Sequence, residues 1–155
     1  MTTRLTISDS DAMEAFGARL AGLLAAGDLV VLDGPLGAGK TTLTRGLGAA
    51  LGARGAVTSP TFVLAREHPT ASGVPLVHVD AYRLPTAREL DDLDLDYAGS
   101  IVVVEWGAGR LDGVAESWID VAIARDRADD ARDVLVTGHG PRWAALDATL
   151  ATLAG

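Results

Sequence analysis

The sequence predicts an α/β domain of three layers, built on a mixed sheet that is parallel at its centre with antiparallel edge strands. Three observations predict it. Helical and strand patterns alternate through most of the chain. Two short apolar runs, "DLVVLDG" and "SIVVVEWG", read as strands covered on both faces. Strands then gather near the C-terminal end around a polar turn.

Element by element, Ser8 with Asp11 reads as a capping box that uses Asp in place of Glu. Met13, Phe16, Leu20, Leu23 and Leu24 then recur at helical spacing, and Gly27 stops the helix. The strand "DLVVLDG" follows, and a second helix starts inside "GAGKTT", burying Leu43, Leu47 and Leu51 before Gly52. "VTSPTFVLAREH" and "VPLVHVDAYRL" are two strands parted by the turn-rich "PTASG". Thr86 and Glu89 form another capping box, with Leu90, Leu93 and Tyr97 on one helical face. "SIVVVEWG" is a buried strand. "ESWIDVAIAR" and "ARDVLVTGHG" make a closing hairpin, and "PRWAALDATLATL" makes a C-terminal helix.

The chain has 155 residues, enough for one real core, so 1–155 reads as a single domain. Its 48% hydrophobic and 22% charged residues are ordinary for a globular protein. The absence of cysteine excludes disulfides, thiolate metal sites and a cysteine nucleophile. His68, His78 and His139 lack ligand-like spacing and read as solvated or hydrogen-bonded side chains. No basic segment leads into an apolar run at the N-terminus, and "LAGLLAAGDLVVLDG" is interrupted before spanning length. A cytoplasmic protein without a membrane role is the expectation. A net charge of −8, with no arginine stripe, disfavours unaided binding to a polyanion. Any nucleic-acid role would run through a partner.

Lys40 is the single lysine of this arginine-rich chain, and it lies in the most informative stretch. Gly34-Pro35-Leu36-Gly37-Ala38-Gly39-Lys40-Thr41 fits G-x-x-x-x-G-K-[ST] between a strand and a helix, which makes the fold P-loop NTPase-like. Glycines let backbone amides wrap phosphate oxygens, and the helix N-terminus adds partial positive charge. Lys40 would reach the β- and γ-phosphates, while the Thr41 hydroxyl would coordinate Mg²⁺. A compact ammonium fits inside such a loop where a guanidinium fork does not.

Nucleotide hydrolysis also needs an acid at the carboxyl end of a neighbouring strand. Asp80, ending "PLVHVD", and Glu105, ending "SIVVVE", both qualify. Either alone could cap a loop; together they point to the edge that carries Lys40. Thr58, Ser59, Pro60 and Thr61 read either as a nucleotide-sensing segment or as a hydroxyl-rich turn. The acids of "ELDDLDLD" fall on the solvated side of a helix. Trp118 and Trp143 read as packing residues, and Trp106 fits either packing or the site.

"GPLGAGKTT", "TSPTF", "HVDAYRL" and "VVEWG", in this order and in a chain of this length, closely resemble the bacterial TsaE (YjeE) family. The resemblance implies a small ATPase of tRNA threonylcarbamoyladenosine synthesis that binds ATP with Mg²⁺ and hydrolyses it weakly alone. It implies TsaD and TsaB as partners, which carry out the threonylcarbamoyl transfer and grip the tRNA, so that this chain meets tRNA only indirectly. Carried over by residue, Gly37, Ala38, Gly39, Lys40, Thr41 and Thr42 hold the phosphates. Thr41 and Glu105 bind Mg²⁺, and Asp80 is the catalytic or water-positioning acid. "TSPTF" is the nucleotide-responsive segment. The family commonly has a Thr where this chain has Ala12, so Ser10 or Asp11 substitutes near the adenine, and Arg132 resembles a family arginine beside the nucleotide.

Two other classes share the loop. A small-molecule kinase would need an acceptor pocket and usually an arginine-bearing lid, whereas the stretch between Asp80 and Glu105 is an acidic helix. A non-catalytic ATP switch would keep the loop and omit turnover.

Overall fold

Among the described residues, seven strands form one sheet in the order β1-β7-β6-β2-β5-β4-β3. The computed structural model describes residues 2–35, 37–55, 65–81, 95–105, 115–125 and 129–154. The strands are β1 (Thr2–Ile7), β2 (Leu29–Asp33), β3 (Ala65–His68), β4 (Leu76–Asp80), β5 (Ile101–Glu105), β6 (Trp118–Ala124) and β7 (Arg132–His139). β6, β2, β5 and β4 run parallel at the centre. β7 and β1 continue antiparallel on one side, and β3 does so on the other. The predicted mixed sheet is therefore present.

Helix α1 (Ser10–Ala21) buries Met13, Phe16, Gly17 and Leu20, the i, i+3, i+4, i+7 stripe expected of a core-facing helix. It packs against α2 (Lys40–Ala50), which buries Leu43 and Leu47. Glycines set how closely the two approach. A Cβ on Gly17 would stand 2.1 Å from the Leu43 carbonyl oxygen, and one on Gly46 would stand 2.0 Å from that of Glu14. Only glycine allows this contact of backbone on backbone. The larger apolar cluster fills the space between these helices and the sheet; a smaller one, with Val31, Val79 and Val104, lies on the opposite face. β5 is buried at every residue, as its continuous apolar run predicts.

Three features differ from the sequence expectation. β1 was not expected as a strand: only Leu5 and Ile7 of "TTRLTI" turn inward, the weak alternation of a half-buried edge. Because β1 runs to Ile7, the cap of α1 is Asp9 rather than Ser8; its carboxylate accepts from the Ala12 amide at 2.8 Å. The helix also closes earlier, with Gly22 at its C-terminal cap. At the other end, Leu146 leaves helical geometry and splits the expected helix into α3 (Pro141–Ala145) and α4 (Asp147–Ala151). Trp143 and Leu150 still reach the main cluster.

The expected helix start at Thr86 and Glu89, with Leu90 and Leu93, lies outside the described residues, as do Trp106 and the segment Thr58, Ser59, Pro60 and Thr61. Tyr97 packs on the smaller cluster.

Candidate active site

β2 ends at Asp33, and α2 begins at Lys40, so the glycine-rich loop spans the carboxyl edge of the parallel strands. Gly39 caps α2 with φ of 118°, a left-handed value that strains any residue with a Cβ. Having no side chain, it offers no acceptor to the first turn. The amides of Lys40, Thr41 and Thr42 thus belong to a helix start with no side-chain cap, the arrangement that receives anions.

Lys40 is only 5% exposed. Its ammonium curls back and donates to the carbonyl oxygens of Gly34 at 2.6 Å and Pro35 at 3.0 Å. Burial lowers its pKa below the ordinary lysine value, while Glu105, Asp33 and Asp80 pull it back up. The lone lysine is therefore a desolvated cation held by carbonyls that an anionic ligand can replace. This placement keeps the ammonium inside the loop.

Next along α2, the Thr41 hydroxyl donates to Glu105 Oε1 at 3.3 Å and Oε2 at 3.4 Å. These are long, bifurcated bonds to a carboxylate that is only 4% exposed. His78 Nε2 bonds Glu105 Oε2 from β4. Asp80 stands beside Glu105 in the parallel register of β4 and β5, and the Ala81 amide donates to the Glu105 carbonyl at 2.9 Å. Strand alternation puts Leu76, His78 and Asp80 on one face. Among the described residues no three acidic, histidine or cysteine side chains form a closed metal cage. A hydroxyl and a carboxylate form the incomplete, hard oxygen set that suits Mg²⁺, which usually takes one or two protein ligands and completes its shell with water and phosphate.

A cleft beside the loop is lined by Ser10, Met13, Gly37, Ala38, Gly39, Thr42 and Arg132, together with Asp9 and Asp130. The structure thus gathers nearly all the sequence candidates along one edge: Lys40, Thr41, Glu105 and Asp80 over the sheet, and Ser10 and Arg132 around the cleft. Asp11 is outside that lining and exposed, because two residues of helix turn it away from the buried stripe that holds Met13. Arg132 donates to the carbonyls of Asp130 and Ala131 at 2.9 and 3.2 Å.

Sequence reading missed three residues here. Asp33 is a strand-end acid like Asp80 and Glu105, and that shared position could have flagged it. Asp9 was hidden by the choice of Ser8 as cap. His78 was legible in "LVHVD", where period two sets His78 in line with Asp80.

Comparison with known proteins shows what the chain is similar to. A family model described as "Threonylcarbamoyl adenosine biosynthesis protein TsaE" matches residues 7–134. The chain is 57% identical over 145 residues to the tRNA threonylcarbamoyladenosine biosynthesis protein TsaE of Streptomyces coelicolor, covering 89% of this chain and 98% of the relative. It is 36% identical over 120 residues to the TsaE of Bacillus subtilis, covering 76% and 73% respectively. The crystal structure of Bacillus subtilis YdiB superposes with a TM-score of 0.76 at 27% identity, covering 98% of this chain and 95% of that one.

Proposed function

The chain belongs to the TsaE family of tRNA threonylcarbamoyladenosine biosynthesis proteins, and from that premise we propose that it is an ATP hydrolase whose cycle supports a TsaD–TsaB transfer complex. The observation that carries this reading is the Lys40 ammonium, parked on the Gly34 and Pro35 carbonyls beside the Thr41–Glu105 pair.

The amides of the loop and of the first turn of α2 bind the triphosphate, and Lys40 turns from the two carbonyls to the β- and γ-phosphates. Thr41 and Glu105 would hold Mg²⁺, which when bound neutralises charge developing on the phosphoryl oxygens. Asp80 orients the attacking water from the end of β4. Ser10, Arg132 and the cleft they line receive the nucleoside end. Thr58, Ser59, Pro60 and Thr61 respond to the nucleotide, and turnover alone is slow because partner contacts complete the site. A net charge of −8 suits docking on protein rather than on tRNA. The work is cytoplasmic; among the described residues no helix is long and apolar enough to cross a membrane.

The test is phosphate release by wild type and Lys40→Ala, each with and without TsaD and TsaB. Wild type should be slow alone and faster in the complex, with the variant inactive in both. Phosphate appearing on a metabolite would instead make the protein a kinase. Tight ATP binding without turnover in the complex would make it a switch.

A further inference from the structure

His78 is a buried titratable group for which the proposed reaction has no task. It has no exposed surface, and it interrupts the apolar run of β4 at a position where Leu or Val would continue the core. Burying an imidazole costs stability unless a hydrogen bond offsets it. His78 makes that bond on one side only. Nε2 meets Glu105 Oε2, while Nδ1 has no hydrogen-bond partner among the described residues. A carboxylate oxygen only accepts, so the Nε2 that faces Glu105 is the donor of this bond.

The geometry then runs as a chain of three groups: His78, Glu105 and Thr41. Glu105 has several rotatable bonds and makes only long contacts to Thr41, at 3.3 and 3.4 Å. Those contacts are too weak to choose its rotamer by themselves. His78 is fixed in a strand that pairs with β5 from Leu76 to Asp80, with its own Cα opposite Val103. It therefore reaches Glu105 from one pleat inside the sheet, as a rigid donor behind a flexible acceptor.

We propose that His78 is a positioning residue that donates from Nε2 to Glu105 and holds the carboxylate toward the Thr41 hydroxyl, so fixing the oxygen pair that receives Mg²⁺. This rests on the reading of Thr41 and Glu105 as magnesium ligands. The hydrogen-bond partners of metal-binding carboxylates orient the ligand before the ion arrives, and losing one typically weakens metal affinity by roughly 10- to 100-fold.

The test measures binding of a non-hydrolysable ATP analogue to the full chain by calorimetry, with and without Mg²⁺, for wild type, His78→Leu and His78→Gln. Wild type should bind more tightly with Mg²⁺. His78→Leu fills the volume without a donor, so it should lose roughly 10- to 100-fold of that gain while keeping metal-free affinity. His78→Gln, whose amide N–H can still reach Glu105, should retain most of the gain. A purely structural role predicts the reverse order, since Leu suits the core better than Gln. Nitrogen-15 NMR of ligand-free wild type should show the proton on Nε2. Full Mg²⁺ gain in His78→Leu, equal loss in both variants, or an Nε2 without a proton would each overturn the proposal. A gain shared by wild type and His78→Leu removes only the role of His78. No gain in wild type removes the magnesium reading and this inference with it.

Discussion

Asp28 and Glu105 are carboxylates at opposite ends of the parallel strands, each only 4% exposed, and they are held in different ways. Asp28 sits at the amino end of β2. It accepts from the Ala25 amide at 2.7 Å and from Arg142 at 2.5 Å through Nε and 2.8 Å through Nη2. Those bonds are short, the guanidinium grips both oxygens, and Arg142 also lies over the Trp143 ring at 4.7 Å. Glu105 sits at the carboxyl end of β5 with long hydroxyl contacts, a histidine behind it and a desolvated lysine nearby. Similar burial thus serves two purposes. A carboxylate saturated by fixed donors ties α3 to the sheet, whereas one held by long hydroxyl contacts suits the magnesium role proposed for it.

Variants at the two ends should separate these purposes. The largest effect belongs to Lys40→Ala, which should cut ATP hydrolysis by about 100-fold or more, as removal of a donor to transition-state charge does. Its melting temperature should barely move, because a desolvated cation is removed along with its bonds. Asp28→Ala should do the opposite. It should cost about 2 to 3 kcal/mol in denaturant unfolding, less than a wholly buried pair because Arg142 is partly exposed, and leave analogue binding unchanged. Loss of binding there would collapse the contrast between the ends.

Glu105→Gln comes next. The affinity gained with Mg²⁺ should fall by on the order of tenfold, since a neutral amide replaces a charged oxygen ligand, with unfolding little altered. An unchanged magnesium response would move the ligand role to Asp80. Arg142→Lys should cost about 1 kcal/mol of stability by losing the two-pronged grip on Asp28, readable as a shifted denaturation midpoint.

The smallest effect is a pH dependence. Burial lowers the Lys40 pKa in the free protein, and a bound triphosphate would raise it, so binding takes up a proton in the interval between the two. Affinity should therefore weaken as pH rises above the lowered value toward that of the bound state. In the free protein the sign for folding is opposite: between the lowered value and 10.5 the unfolded chain binds more protons, so this group makes stability rise with pH. Calorimetry in buffers of different ionisation enthalpy would detect the proton uptake.

Much of this contrast was legible beforehand, because some signals are local. The loop was readable because Gly39 and Lys40 answer to backbone geometry and charge within a few residues. Glu105 and Asp80 were readable because an apolar run ending in an acid marks the carboxyl end of a buried strand. The Asp28–Arg142 pair was not, since its members are far apart in the chain and each alone looks like a surface charge. β1 was missed because an edge strand needs only Leu5 and Ile7 inward, and β7 supplies the rest of its reason to exist.

The order of residues alone determined the α/β class, the central strands and the position of the glycine loop, since periodicity and backbone freedom act over short stretches. Tertiary structure alone decided that His78 backs Glu105 and that Asp28 belongs to Arg142. The register of β4 on β5 and the return of the chain after β7 create those contacts. Burial then turns ordinary side chains into groups whose charge has to be answered by a neighbour.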